Sequence, residues 1–249
     1  MRHRKRFGQH FLHDPGTLKR IIDAIDPLPG EAIVEIGPGE GALTAPLLQR
    51  AGRLTAIEID RDLAKRLADR FAGDRLTLIC ADALDYDFSA FAPGVRLAGN
   101  LPYHISTPLL FHLARYAGRV RDMHFMLQLE VVDRMVARPS TPDYGRLSVM
   151  LQVRFRMKKL FRVAAGAFRP PPKVESAVVR LTPLAEAPEA EQKQFENLVR
   201  RAFSARRKTL RNALPLAAAD YANLGIDPQL RPENLSPADY LRIARHITV

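Results

Sequence analysis

Asn100, Leu101, Pro102 and Tyr103 follow directly on the short apolar run VRLAG, residues 95–99. A central strand would exclude the proline, and a linker has no use for the tyrosine. Read as chemistry, the four residues make sense together. A side-chain amide and a neighbouring peptide carbonyl are two acceptors, and together they can hold both N–H bonds of an exocyclic amine. Pro102 biases Leu101 towards an extended backbone, which can turn the Leu101 carbonyl out of a sheet. Proline has no N–H, so no unpaired donor is left at that position. Tyr103 adds a ring on which a flat base can stack, worth roughly 1–3 kcal/mol. The four residues predict a clamp for an amine on a heterocyclic base.

A second set of residues points to a nucleoside cofactor. VEIGPGEGALT (34–44) places Gly37, Gly39 and Gly41 between a strand and a helix, with Glu35 just before them. Glycine there lets the backbone approach a ligand without a Cβ clash. The spacing is GxGxG rather than GxGxxG, and a tight strand–helix turn can use glycine for geometry alone. About 20 residues on, AIEID (56–60) ends the next strand with Glu58 and Asp60, where a carboxylate can accept both hydroxyls of a ribose. CADAL (80–84) ends a third strand with Asp82, placed to accept from an adenine amino group. Any one of these acids could be a solvated strand end. In sequence order on successive strands they predict one ligand-binding rim. A dinucleotide enzyme would share the first two signals but would leave Asn100–Tyr103 unexplained.

The elements that position these residues are legible in the pattern. AIVEIG (32–37), RLTAIEID (53–60), RLTLICAD (75–82), VRLAGN (95–100) and MHFMLQ (123–128) are mostly apolar with little alternation, as in parallel strands buried on both faces. GALTAPLLQRA, DLAKRLADRFA and STPLLFHLARYA between them have helical periodicity. The last carries Ser106 and Thr107 as an N-cap pair with Pro108 in the first turn. This alternation predicts an α/β doubly wound sheet with right-handed crossovers. RFRMKKLFRV (154–163) and SAVVRL (176–181) have no room for a helix between them and are expected to run antiparallel to each other. From LTPLAEAPEAEQ (181–192) the pattern changes to a linker, and only helical patterns follow. The expected domains are 1–183 and a small all-helical domain over 184–249.

Composition limits the function classes. The chain has 249 residues, 47% of them hydrophobic, and a net charge of +11. The charge favours a polyanion as partner, nucleic acid first. It is also clustered, since RHRKR (2–6) and RRAFSARRKTLR (200–211) contain no acid. No apolar run approaches the ~18 residues of a membrane span, and no apolar stretch follows the basic N-terminus as in a secretory signal. The single cysteine, Cys80, excludes an intramolecular disulfide and suits a reducing compartment, so a cytoplasmic protein is expected. His10 and His13 lack further ligands at metal spacing, and no metal is expected.

With these residues in view, the chain resembles the ribosomal RNA adenine dimethyltransferases that modify small-subunit rRNA. The resemblance runs through KRFGQHFL (5–12), EIGPGEGALT, NLPYHISTPL, MLQLEVVDRM, YGRLSVM, FRPPPKVESAVV, FSARRKTLRN and PENLSPADY, nearly the whole chain. It implies a Rossmann-like class I S-adenosylmethionine-dependent methyltransferase with a C-terminal helical domain, and residues 1–14 as an N-terminal lid segment over the cofactor. It implies cofactor contacts at His10, Leu12, Gly37, Gly39, Glu58, Asp82 and Asn100, with Gln9 also near the methionine end. Many relatives carry asparagine where this chain has His10. It further implies that Phe168 sandwiches the base against Tyr103, so that the catalytic set is Asn100, Leu101, Pro102, Tyr103 and Phe168. The bland reading of Phe168 is core packing beside the stiff Pro170–Pro172 segment. The implied substrate is two adjacent adenines near the 3′ end of small-subunit rRNA, in an immature small ribosomal subunit. A monomer is expected, without DNA or membrane as partner.

A helix over 196–212 would place Arg200, Ser204, Arg207, Lys208 and Arg211 on one face and Phe203, Leu210 and Ala213 inside, with Arg201 just off the stripe. Arg200, Arg206, Arg207, Lys208 and Arg211 are the expected RNA contacts. Three rivals remain at this point. A large-subunit rRNA dimethyltransferase of the antibiotic-resistance type shares the fold and an Asn-x-Pro-aromatic motif. A DNA adenine methyltransferase would more usually carry Asp-Pro-Pro-Tyr. A non-catalytic binding or assembly factor would have no need of Glu58, Asp82 and Asn100 together.

Overall fold

The computed structural model describes residues 10–71, 73, 75–185 and 192–248. The elements in chain order are β1 (Phe11–Leu12), α1 (Pro15–Ile25), β2 (Ile33–Ile36), α2 (Thr44–Ala51), β3 (Leu54–Glu58), α3 (Arg61–Arg70), β4 (Leu76–Cys80), β5 (Val95–Asn100), α4 (Ser106–Ala114), β6 (Val120–Gln128), α5 (Leu129–Val136), α6 (Arg146–Gln152), β7 (Phe155–Val163), β8 (Phe168–Arg169), β9 (Ser176–Pro183), α7 (Gln192–Ser204), α8 (Leu210–Ala213), α9 (Ala218–Leu224) and α10 (Pro237–Thr248). The chain forms two compact units. One comprises residues up to Val132 together with Met157–Pro183; the other comprises Asp133–Arg156 and Leu184 onwards.

The first unit is built on a seven-stranded sheet in the order β4-β3-β2-β5-β6-β9-β7. Strands β2 to β6 pair in parallel, and β9 pairs antiparallel with β6. The order reverses between β2 and β5, so the carboxyl ends of these two strands meet at the switch point where such sheets bind ligands. Gly99 makes the close approach possible, because a Cβ there would stand 2.4 Å from the Ile36 carbonyl oxygen. One face of the sheet is covered by α1 and α2, whose Ile21, Ile22, Leu47 and Leu48 join Ile33, Ala98, Met126 and Val178 in the core. Asp14 starts α1 by accepting from the Thr17 N–H at 2.7 Å. Asp60 starts α3 by accepting from the Asp62 and Leu63 N–H groups.

The second unit is helical. Its main segment begins at Leu184, and Asp133–Arg156 belongs to this unit as well, a stretch that the sequence pattern groups with the sheet. Local bonding accounts for the difference. Gln152 Nε2 donates to the Met135 and Ala137 carbonyls, and Tyr144 is fully buried with its hydroxyl on the Leu235 carbonyl at 2.9 Å. The Leu184 N–H bonds to the Arg154 carbonyl. Phe203 stacks on Tyr240 at 5.9 Å between centroids and meets Tyr144 edge-on.

Candidate active site

The carboxyl ends of β2, β3, β4 and β5 surround a cavity of about 250 Å³ in the first unit. Its lining includes His10, Leu12, Gly37, Gly39, Glu58, Asp82, Asn100, Leu101, Pro102 and Tyr103, so the sequence-predicted cofactor and clamp residues converge on one space. Glu35, next to the last residue of β2, lines it too.

The glycine loop holds this wall in place. Gly39 has a φ of +58°, and a Cβ on it would meet the Phe11 ring at 3.0 Å. The Gly39 N–H donates to Glu58 Oε2 at 3.1 Å, and the Asp60 N–H donates to Oε1 at 2.9 Å. A carboxylate can accept about four hydrogen bonds, so Glu58 retains capacity for a further donor. Burial pushes the Glu58 carboxyl upward despite these bonds. Asp60, by contrast, is committed to capping α3. Glu35 is 1% exposed and accepts from Thr44 Oγ1 at 2.7 Å; burial, with the Glu58 charge adding to it, raises its pKa to about 7. Asp82 accepts from the Leu84 N–H through Oδ1 at 2.9 Å, an Asx turn that fixes the carboxylate at the end of β4.

The clamp residues sit on the opposite wall. Asn100 ends β5, half-buried, and its Nδ2 donates to the His10 carbonyl at 3.0 Å. That bond leaves Oδ1 as the acceptor to present elsewhere. Leu101 is anchored through its N–H to the Met126 carbonyl. The Pro102 carbonyl already accepts from the Ile105 N–H and from Ser106 Oγ at 3.0 Å, and the Tyr103 carbonyl accepts from the Ser106 N–H. Ser106 thus ties the start of α4 back to the loop, rather than serving as the predicted N-cap; Ile105 holds the cap position. Tyr103 is half-buried, its hydroxyl 2.7 Å from Ser176 Oγ, and its ring lies 5.5 Å from the His10 ring at 32°.

Two expectations change. Phe168 is 2% exposed, pairs with Leu12 across the β1–β8 ladder, packs in the core and is absent from the cavity lining. The structure thus places Phe168 in the core beside β1, outside the cavity that Leu12 and Tyr103 line. The helix expected over 196–212 ends at Ser204 and resumes at Leu210. Ser204 Oγ donates back to the Arg201 carbonyl, and after the turn the Leu210 and Arg211 N–H groups bond to Leu230 and Pro228. No single helix face gathers the basic residues. Arg200, Arg207, Lys208 and Arg211 are exposed, but Arg206 is tied down by Glu233 and the Pro142 carbonyl. Phe203, Leu210 and Ala213 do face other side chains of their unit. Gln9 and the RHRKR cluster lie outside the described residues.

Two residues at or beside the site carry little signal in the sequence. Ile59, 45% exposed between Glu58 and Asp60, is an apolar plate at the rim, and its signal was an isoleucine between two acids at a strand end. Ser176 is legible only from the fold, since it meets Tyr103 across 73 residues. Among the described residues, no group of three or more metal-ligating side chains occurs, and no helix is long and apolar enough to cross a membrane.

Comparison with known proteins agrees with this geometry. The family model described as ribosomal RNA adenine dimethylase matches residues 1–248. The chain is 59% identical over 250 residues to ribosomal RNA small subunit methyltransferase A of Aromatoleum aromaticum, covering 99% of this chain and 94% of that one. It is 56% identical to the protein of the same name from Thiobacillus denitrificans, covering 98% and 97%. Among solved structures, a dimethyladenosine transferase from Plasmodium falciparum superposes with a TM-score of 0.81 at 28% identity, covering 96% of this chain and 98% of that one. The 23S rRNA methyltransferase ErmE follows at 0.71 and 27%, covering 96% and 100%. Parallel sheet, rim cavity and whole-length similarity lead to one conclusion: this chain belongs to the ribosomal RNA adenine dimethylase family of S-adenosylmethionine-dependent methyltransferases.

Proposed function

We propose that this protein dimethylates N6 of two adjacent adenines near the 3′ end of small-subunit rRNA, acting as a cytoplasmic monomer on an immature small ribosomal subunit. The observation that carries the site assignment is the Asn100 amide. It lies on the cavity that also holds Glu58 and Asp82, and its Nδ2 is already spent on the His10 carbonyl. The small-subunit target is supported by relatives of that name at 59% and 56% identity, against 27% for the 23S rRNA enzyme.

The residues present fit the cofactor. A ribose offers two hydroxyl donors, matched by the Glu58 carboxylate on the cavity wall. An adenine offers an amine and a flat apolar face, matched by Asp82 and Ile59. Two buried carboxylates also suit a cationic ligand. S-adenosylmethionine, when bound, supplies a methyl group on a sulfonium carbon that is already electrophilic.

The chain's own residues then prepare the target amine. Adenine N6 is a poor nucleophile, because its lone pair is delocalised into the ring. Asn100 Oδ1 accepts one N6–H. The Leu101 carbonyl accepts the other, since the carbonyls of Pro102 and Tyr103 are engaged in the turn into α4. The ring of Tyr103, held by Ser176, bears the base. Positioning provides most of the acceleration, with dipoles aimed at the amine. No side chain need act as general base; the proton leaves to water once the bond has formed. After one methylation a single N–H remains for one acceptor, and the second transfer follows. The target adenine must leave its stack to reach Tyr103, so unpaired, splayed bases are preferred over duplex. Arg200, Arg207, Lys208 and Arg211 are the proposed phosphate contacts.

The test is direct. The protein is incubated with labelled S-adenosylmethionine and undermethylated small subunits, and the RNA is digested to nucleosides. Label in N6,N6-dimethyladenosine from the 3′ region is the expected result. Label in another nucleoside, or only in large-subunit RNA, would overturn it.

A further inference from the structure

We infer that His10 is a positioning residue for methyl transfer, its imidazole pinning the peptide whose carbonyl sets the Asn100 amide. The inference rests on the reading of Asn100 proposed above and adds a residue to it. A primary amide has two nearly isosteric faces. A half-turn about its last bond would present the NH₂ group, not Oδ1, to an incoming amine, setting donor against donor. Only an acceptor fixed on one side prevents this, and that acceptor is the His10 carbonyl, 3.0 Å from Asn100 Nδ2.

A peptide carbonyl is only as fixed as the segment carrying it. On the C-terminal side, this segment is held by the β1–β8 ladder and by the His13 N–H on the Ala167 carbonyl at 2.9 Å. At residue 10 itself the anchor is the side chain. His10 Nδ1 lies 2.8 Å from the Pro170 carbonyl oxygen. A carbonyl only accepts, so Nδ1 carries the hydrogen. The same ring rests 5.5 Å from Tyr103. One residue thus touches the amide, the stacking ring and the proline-rich loop.

The chemistry required of the side chain is narrow: an N–H on the atom bonded to Cγ. Asparagine places Nδ2 there. Glutamine carries its amide one carbon further out, and alanine has none. His10→Asn, His10→Gln and His10→Ala therefore separate the pin from bulk and polarity.

The readout is the side-chain NH₂ pair of Asn100 in a ¹⁵N-labelled sample free of cofactor and RNA, assigned by its loss in Asn100→Ala. In His10→Ala and His10→Gln the pair shifts and exchanges faster; in His10→Asn it returns to its parent position. Single-turnover methylation at saturating donor falls about tenfold in the first two, the effect of one net hydrogen bond, and recovers in the third. Affinity for S-adenosylhomocysteine, measured by calorimetry, changes less than the rate. An Asn100 pair that ignores His10→Ala, a glutamine variant that performs as well as asparagine, or a loss confined to cofactor affinity would each overturn the inference. His10→Asn keeps the test alive should His10→Ala unfold. Failure of the Asn100 reading itself would appear separately, as retained methylation in Asn100→Ala.

Discussion

The two ends of strand β5 handle buried charge in opposite ways. Near its start, Arg96 is 5% exposed and every donor is used: a two-pronged contact to Asp122 at 2.9 and 3.0 Å, one to Glu31 at 2.7 Å, and the Ile25 and Asp26 carbonyls. His124 Nδ1 stands 3.5 Å from the same Asp122. Burial alone would raise the Asp122 pKa, but His124 and Arg96 outweigh it and hold it at about 2. At the other end, beside Asn100, Glu35 and Glu58 are also buried, yet the bonds they accept come from a hydroxyl and from backbone N–H groups. Their pKa values go up, not down. Charge matched by charge builds the scaffold; charge held by dipoles alone marks the end where a cationic ligand would be received.

The sharpest way to break the contrast is at the scaffold end. Arg96→Leu leaves Asp122 without its guanidinium and Glu31 with only the exposed Arg121, and should cost about 3–5 kcal/mol in urea unfolding. A second change, Asp122→Leu, should recover part of that. At the site end the effect should fall on chemistry. Asn100→Ala should lower kcat by about 10²–10³-fold while S-adenosylhomocysteine affinity stays within a few-fold by calorimetry; a fully active variant would remove the amine clamp.

pH separates the two ends next. A raised carboxyl favours the folded state while protonated, so the Glu35 contribution is complete below about pH 4.5 and is lost as pH rises through about 7. The sign is opposite for Asp122, whose contribution is lost as pH falls from about 4 through about 2. Stability curves from pH 2 to 8 should show both arms, and Glu35→Gln should flatten only the upper one, by about 2–3 kcal/mol. The smallest effect is expected far from either end. Arg207→Glu with Lys208→Glu should weaken RNA binding about tenfold and reduce its dependence on salt; an affinity unchanged across salt concentrations would remove these residues from the interface.

How much of this was legible in the sequence follows the range of the interactions involved. Strands β2 to β6 and the acids at their ends were readable, because apolar runs and strand-end carboxylates are local signals. The clamp was readable for the same reason, since four consecutive residues carry it. Phe168 was not, because its side-chain direction is set by register with Leu12, more than 150 residues away. The turn at 205–209 was hidden too, since helical periodicity runs through it and the bonds that end the helix come from residues 228–230. The stretch Asp133–Arg156, with the short α6, joins the second unit through tertiary partners such as Leu235, which bonds to Tyr144.

Gly99 has the last consequence. With the Ile36 oxygen only 2.4 Å from where a Cβ would stand, any larger residue would wedge β5 away from β2. The gap so opened would separate the wall that carries Gly37 and Gly39 from the wall that carries Asn100. Misplacement of reacting groups by an ångström can cost a hundredfold in rate. Gly99 thus acts as a spacer of zero thickness, setting the distance between donor and acceptor while touching neither.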